Sequence, residues 1–288
     1  MTGTTRSRAA DPVRRFAVVG SPIEHSLSPL LHAVAYRELG IEDAVYERHE
    51  VGAGELAGFL TGDGAGLQGL SVTMPGKPEA FVLAAEHDGT AAALGVANTL
   101  VRRRDGSWRA ENHDVHGIVA ALRDHGAGTV RRAGVLGSGA TALSAALALC
   151  RMGAQEILLS ARRPERLAPV VDLVTTQGAD ARIVPWDDAA ELLGTEVVVS
   201  ALVAAGARAV AEEWRARPDL PVVPLLLDVL YDPWPAPLAG LLGERGTEVA
   251  NGLEMLVHQA DMQIRSMVGA PSAPVAAMLD AAREQLRR

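Results

Sequence analysis

Short apolar runs and alternating apolar–polar stretches take turns with segments of helical period along the whole chain, which is the pattern of an α/β protein. Residues 15–20 predict a strand, 29–39 a helix capped by Ser28, and 44–51 a second strand. A short helix at 55–60, a strand at 67–73 ended by Pro75, and a helix through 81–85 follow. Two runs, 98–103 and 107–110, flank Asp105-Gly106 and predict a hairpin. From Asp114 the rhythm changes: a helix through His125 leads into strands at 133–136, 156–160, 181–184, 197–201, 222–230 and 248–250, with helices between them. Such a series predicts a doubly wound, Rossmann-type sheet. Helices at 252–267 and 274–286 close the chain. The pattern therefore divides into an N-terminal α/β domain at 14–113, a second domain at 114–252, and C-terminal helices 253–288 expected to return to the first.

Composition narrows the classes. With 288 residues and 48% hydrophobic content the chain can bury the cores of two domains and still leave a cleft between them. Its net charge of −8, with arginines scattered rather than massed, argues against nucleic acid or an anionic membrane as partner and for small molecules. The single cysteine, Cys150, excludes an intrachain disulfide and fits a reducing, cytoplasmic setting. Residues 1–8 lack the apolar core of a signal peptide and predict a frayed start, and no apolar run reaches the roughly 18 residues of a membrane span.

Gly137-Ser138-Gly139-Ala140-Thr141-Ala142 follows an apolar strand and opens an alanine- and leucine-rich helix, the context that gives a dinucleotide fingerprint its meaning. Gly137 permits the tight turn, Gly139 lets the backbone approach a pyrophosphate at the helix N-terminus, and Ala142 stands where the third small residue packs helix on strand. The bland reading is an ordinary glycine-rich turn. Past the next strand, Ser160-Ala161-Arg162-Arg163-Pro164-Glu165-Arg166 presents no carboxylate for a ribose hydroxyl. Arg162, helped by Arg163 or Arg166, instead suits a 2′-phosphate and indicates NADP(H) rather than NAD.

Lys77, in Ser71-Val72-Thr73-Met74-Pro75-Gly76-Lys77, and Asp114, in Asn112-His113-Asp114, are the candidate chemistry. Taken singly, the first is a surface lysine at a helix start and the second an N-cap. Brought together beside a hydride carrier, they form a proton-relay pair for interconverting a ketone and an alcohol. His113-Asp114-Val115-His116 has the donor types of a metal site but lacks a third and fourth ligand, so metal is not expected.

The wider pattern resembles the shikimate dehydrogenase family over nearly the whole chain, from about Phe16 to Ala260. Gly20-Ser21-Pro22-Ile23-Glu24-His25-Ser26-Leu27-Ser28-Pro29 is similar to the family's serine-containing motif, which implies that Ser26 and Ser28 hold a substrate carboxylate. Thr73, Asn98 and Gln259 match positions that contact the substrate ring, and Lys77 and Asp114 match the catalytic pair. In Asp228-Val229-Leu230-Tyr231-Asp232-Pro233 the resemblance lays Tyr231 over the substrate. In Asn251-Gly252-Leu253-Glu254-Met255-Leu256 it sets Gly252 and Met255 near the nicotinamide. The chain departs from the common pattern at Ala33, Ser71, His113 and Ala236, and at Ala161 and Arg163 in the cofactor segment.

The resemblance implies a substrate domain facing a dinucleotide-binding domain across one cleft, and the reversible NADP-dependent reduction of 3-dehydroshikimate to shikimate in aromatic amino-acid biosynthesis. Two alternatives stand beside it: a relative acting on quinate or aminoshikimate, and a non-catalytic NADP-binding regulatory module. The presence of both Lys77 and Asp114 speaks against the second. The oligomeric state is left open, a homodimer included.

Overall fold

The computed structural model describes residues 13–287, so the frayed start expected at residues 1–8 lies outside the described residues. Two six-stranded sheets organise the chain. The first contains β1 (Arg14–Gly20), β2 (Ala44–Glu50), β3 (Gly69–Val72), β4 (Glu86–His87), β5 (Thr99–Arg102) and β6 (Trp108–Glu111), in the order β2-β1-β3-β5-β6-β4. Its β2, β1 and β3 run parallel, while β5 is antiparallel to both β3 and β6. The second contains β7 (Arg132–Leu136), β8 (Glu156–Ser160), β9 (Asp180–Ile183), β10 (Val197–Ser200), β11 (Leu225–Asp228) and β12 (Glu248–Asn251). Its order, β9-β8-β7-β10-β11-β12, is wholly parallel and is the doubly wound Rossmann order.

Eleven α-helices cover these sheets among the described residues: α1 (Ser28–Glu38), α2 (Leu56–Thr61), α3 (Lys77–Leu83), α4 (Gly89–Leu94), α5 (Asp114–Asp124), α6 (Ala140–Arg151), α7 (Ala168–Thr176), α8 (Ala204–Arg215), α9 (Pro237–Gly243), α10 (Gly252–Val268) and α11 (Val275–Leu286). The central parallel strands are covered on both faces, which explains why 16–20 and 197–200 read as continuous apolar runs without alternation. Helices α10 and α11 leave the second sheet and pack on α1. There Leu31, Val34 and Ala35 share a core with Val257, Ile264, Met278 and Ala282.

Three local expectations are corrected. Ser28 does not cap α1: Leu27 holds the cap position without a side-chain bond, and Ser28 is the first helical residue. The Ser26 hydroxyl accepts from the Ser28 N–H instead, at 3.3 Å. Between β9 and β10 the chain forms a 3₁₀ segment, Trp186–Gly194, rather than an α-helix. That short span buries Ala189, Ala190, Leu192 and Leu193, enough to cover the sheet without a full crossover helix. The strand expected at 222–230 is only β11, because Asp228 turns the chain out of the sheet and accepts from the Leu230 N–H at 3.2 Å.

Asp228 is fully buried, and its Oδ2 has no hydrogen-bond partner among the described residues. Burial pushes its carboxyl up to about 6, against the opposing pull of the Leu230 N–H, the Ser200 hydroxyl and the Ala239 N–H. The folded value therefore lies above the unfolded one of about 4. This group's contribution to stability is full below that lower value and is lost as pH rises through about 6. Asp228→Asn removes the ionisation, so its thermal midpoint should rise relative to wild type between pH 5 and pH 8. Thermal unfolding at the two pH values checks this, and a constant difference between the proteins would assign the pH dependence elsewhere.

Candidate active site

The ends of several strands meet at one place. The turn after β3 carries Thr73 and leads into α3, whose first residue is Lys77. Asn98 immediately precedes β5 and is held between neighbouring strands, with its C=O accepting from Val72 N–H at 2.7 Å and its N–H donating to Glu111 C=O at 3.1 Å. Asp114 opens α5 directly after β6. These three junctions lie at the same end of the first sheet because β5 is antiparallel to β3 and β6. The C-terminal end of β1 adds the loop that carries Ser26 and Ser28.

Lys77 Nζ donates to Asp114 Oδ2 in a close ion pair, both side chains being nearly buried. Asn98 Nδ2 donates to Asp114 Oδ1 at 2.9 Å and to Gln259 Oε1 at 3.2 Å. Gln259 is fixed in turn by donation from Nε2 to Leu256 C=O at 2.9 Å. The Asp114 carboxylate thus has a donor on each oxygen and is not spent as a helix cap; the backbone N–H of Asp114 is satisfied by Asn112 Oδ1 at 3.0 Å. Beside it Glu111 bonds His113 at 2.9 Å. Burial works to raise the Glu111 carboxyl, but His113, Ser266 and Arg109 outweigh it and hold the group lowered.

A cleft of about 320 Å³ opens over this pair. Lys77, Asp114, Asn98 and Thr73 line one side, and Ser26 and Ser28 another. From the second sheet and α10 come Tyr231, Gly252, Met255 and Gln259, so every substrate-contact candidate read from the sequence reaches this one cavity. Ser71, Gln263, His25 and Thr141 line it too and were not among those candidates. Gln263 had a legible signal, since it follows Gln259 by one helical turn on the same face.

Thr141 connects the cleft to the glycine-rich loop, being the second residue of α6. Gly137 adopts φ +121°, and a Cβ there would stand 2.7 Å from the Ala201 carbonyl oxygen, so this turn requires glycine. Gly139 is exposed, with nothing within 4 Å of where a Cβ would be, and it precedes α6 without a side-chain cap. Ser138, Gly139 and Ala140 therefore offer open backbone donors at a helix N-terminus, which fits a pyrophosphate. Arg162, Arg163 and Arg166 are exposed just past β8, and none makes a side-chain hydrogen bond or ion pair among the described residues. They lie outside the cleft itself, where a 2′-phosphate at the far end of a dinucleotide fits them.

Among the described residues no group of three or more His, Cys, Asp or Glu side chains is placed to hold a metal ion, and no helix is long and apolar enough to cross a membrane. A Rossmann sheet whose strand ends face a cleft shared with a second α/β unit, with Lys77 and Asp114 paired inside it, is the arrangement of two-domain, dinucleotide-dependent oxidoreductases. The family model for the shikimate dehydrogenase substrate binding domain matches residues 18–100. Shikimate dehydrogenase (NADP(+)) of Synechococcus sp. (strain JA-3-3Ab) is 30% identical, over 97% of this chain and 96% of that relative. The chain belongs to the shikimate dehydrogenase family. Among solved structures, Mycobacterium tuberculosis shikimate dehydrogenase is 42% identical with a TM-score of 0.83, covering 94% of this chain and 99% of that one. Shikimate 5-dehydrogenase from Thermus thermophilus, in complex with NADP(H) and shikimate, is 27% identical with a TM-score of 0.82 over the same shares, 94% and 99%.

Proposed function

We propose that this protein is an NADP-dependent shikimate dehydrogenase that reversibly reduces 3-dehydroshikimate to shikimate. The observation that carries this reading is the nearly buried Lys77–Asp114 pair, set in one cleft with the two serines and the ring-contact candidates. NADPH, when bound, supplies the hydride for the ring ketone. Lys77 donates a proton to the alkoxide oxygen as it forms, and takes it back in the oxidative direction. Asp114 holds the ammonium group in position and stabilises its charge. Ser26 and Ser28 offer hydroxyl donors to the substrate carboxylate, fixing orientation more than adding raw affinity. Thr73, Asn98 and Gln259 contact ring substituents, and Tyr231 covers the ring.

In the same reading residues 14–113 with 253–288 form the substrate domain and 114–252 the cofactor domain. Gly137, Ser138, Gly139 and Ala140 receive the pyrophosphate, Gly252 and Met255 border the nicotinamide, and Arg162 with Arg163 and Arg166 receives the 2′-phosphate. The protein would act in the cytoplasm on small molecules.

Because the 2′-phosphate exists only on NADP, Arg162→Ala should weaken that cofactor by about 1.5–3 kcal/mol, the range for a hydrogen bond to a charged group, and leave NAD nearly unaffected. Michaelis constants for both cofactors, measured on wild type and variant at one ionic strength, check this. An equal loss for NAD and NADP would assign Arg162 to the fold or to the pyrophosphate.

A further inference from the structure

Behind the Lys77–Asp114 pair a run of polar side chains crosses the core from β2 to α5. Tyr46 OH lies 2.5 Å from Ser71 Oγ, and Ser71 Oγ lies 2.8 Å from Gln263 Oε1. Gln263 Nε2 reaches Thr99 Oγ1 at 3.0 Å and the Asn98 C=O at 3.2 Å. Thr99 Oγ1 reaches Asn98 Oδ1 at 2.8 Å, and Asn98 Nδ2 reaches Asp114 Oδ1 at 2.9 Å. Ser71, Asn98, Thr99, Asp114 and Gln263 are all buried.

Groups whose roles cannot change fix the direction of every bond. The backbone N–H of His113 donates to Asn98 Oδ1 at 3.0 Å, so that atom is the amide oxygen and Nδ2 is the donor to Asp114. The Asn98 carbonyl only accepts, so the atom of Gln263 facing it is the NH₂ group and the opposite atom is the oxygen. Gln263 Oε1 then takes the one hydroxyl proton of Ser71, which obliges Tyr46 to donate to Ser71. Thr99 accepts from Gln263 and spends its own proton on Asn98. Donors therefore run one way, Tyr46 to Ser71 to Gln263 to Thr99 to Asn98, and end on Asp114. Reversing any one bond leaves two donors or two acceptors facing each other in the core, a cost of about 1–3 kcal/mol for each unsatisfied group.

We infer that Thr99 and Gln263 are positioning residues for the proposed reaction: together with the His113 N–H, this one-way chain holds the Asn98 amide oxygen away from Asp114, so that the amide presents N–H to one carboxylate oxygen and leaves the other to Lys77. The inference rests on the proposed dehydrogenase activity for its kinetic arm only. Neither residue donates to Lys77 or Asp114 directly; Gln263 lines the cleft, whereas Thr99 does not, so Thr99 carries the kinetic test.

Thr99→Val keeps the shape and removes the hydroxyl, whereas Thr99→Ser keeps the hydroxyl and removes the methyl. The valine variant should lose about tenfold in kcat for shikimate oxidation with the KM for NADP unchanged within about twofold, and the serine variant should stay within about twofold of wild type. In ¹⁵N-labelled protein without substrate, the Asn98 side-chain amide protons should exchange slowly with solvent in wild type and Thr99→Ser, and at least tenfold faster in Thr99→Val. Should the valine variant fail to fold, Gln263→Met carries the exchange arm of the test, with the same faster exchange of the Asn98 amide expected and unchanged exchange overturning the lock. Equal losses in the serine and valine variants would show that packing, not the hydroxyl, matters, and unchanged exchange in Thr99→Val would overturn the lock. Wild-type protein that does not oxidise shikimate would remove the proposed function, while the exchange measurement would still decide the inference.

Discussion

Lys77→Ala should lower turnover of shikimate about a hundredfold or more while the KM for NADP changes little. The ammonium group is the one donor set against Asp114 Oδ2 in the cleft, and no other lysine is available to replace it, since Lys77 is the only lysine in the chain. Alanine at this position leaves Asp114 with the Asn98 N–H as its remaining side-chain donor. The variant lacks the ammonium group that exchanges a proton with the substrate oxygen, so the loss falls on the chemical step rather than on binding. Steady-state kinetics with a binding titration for NADP separates the two. Near-wild-type kcat in the variant would remove Lys77 from the chemistry.

The second large effect is expected at Gly252, where β12 hands over to α10. A Cβ built there would stand 2.0 Å from the Val229 carbonyl oxygen and 2.4 Å from its carbonyl carbon. Both neighbours are backbone atoms, so no rotamer change relieves the contact. Gly252→Ala must push α10 and the Val229–Tyr231 segment apart, and both of these carry lining residues of the cleft. Overpacking of this kind costs about 1–3 kcal/mol where the surroundings give way, and more where they do not. The variant should therefore melt several degrees lower and lose at least tenfold in kcat/KM for shikimate. The capping box of α10, in which Asn251 and Glu254 each accept the other's backbone N–H at 3.1 Å, resists any compensating shift of the helix start. A thermal midpoint and kinetics equal to wild type would mean that the close approach is not constraining.

What the sequence made legible follows from how local each signal is. The Rossmann half could be read because its central parallel strands β7, β8, β10 and β11 are short, buried apolar blocks separated by helical periods, and the Asp105-Gly106 turn marked the hairpin, with Gly106 at φ +85°. β4 went unread: two residues, Glu86–His87, cannot show an alternation. α4 is a six-residue, alanine-rich turn with the same difficulty, although Asp88 caps it by accepting from Ala91 N–H at 2.6 Å. Ser28 carried the chemistry of a cap but lies one residue inside the helix, since Pro29 suits the first turn and lets the helix begin before it.

The site divides in the same way. Lys77, Asp114 and the serines stand in compact motifs, so the resemblance singled them out, and the fold brings them to one cleft. The chain behind them had no such signature. Ser71 and Gln263 are 192 residues apart in sequence and meet only because α10 returns to the first sheet. Ser71 registered in the sequence only as a departure from the family's common pattern, and its partners give that departure a physical sense: its hydroxyl both accepts from Tyr46 and donates to Gln263.

The most direct measurement of the central claim follows the nicotinamide absorbance of the wild-type protein with shikimate, and in parallel with quinate, each with NADP and with NAD. Robust NADP reduction with shikimate is the result expected from the Lys77–Asp114 cleft, and a preference for NADP over NAD the result expected from the Arg162 cluster, while the quinate arm ranks the two ring acids. No reduction with any of these pairs, in protein shown to bind NADP, would contradict the assignment and leave a cofactor-binding protein without this chemistry.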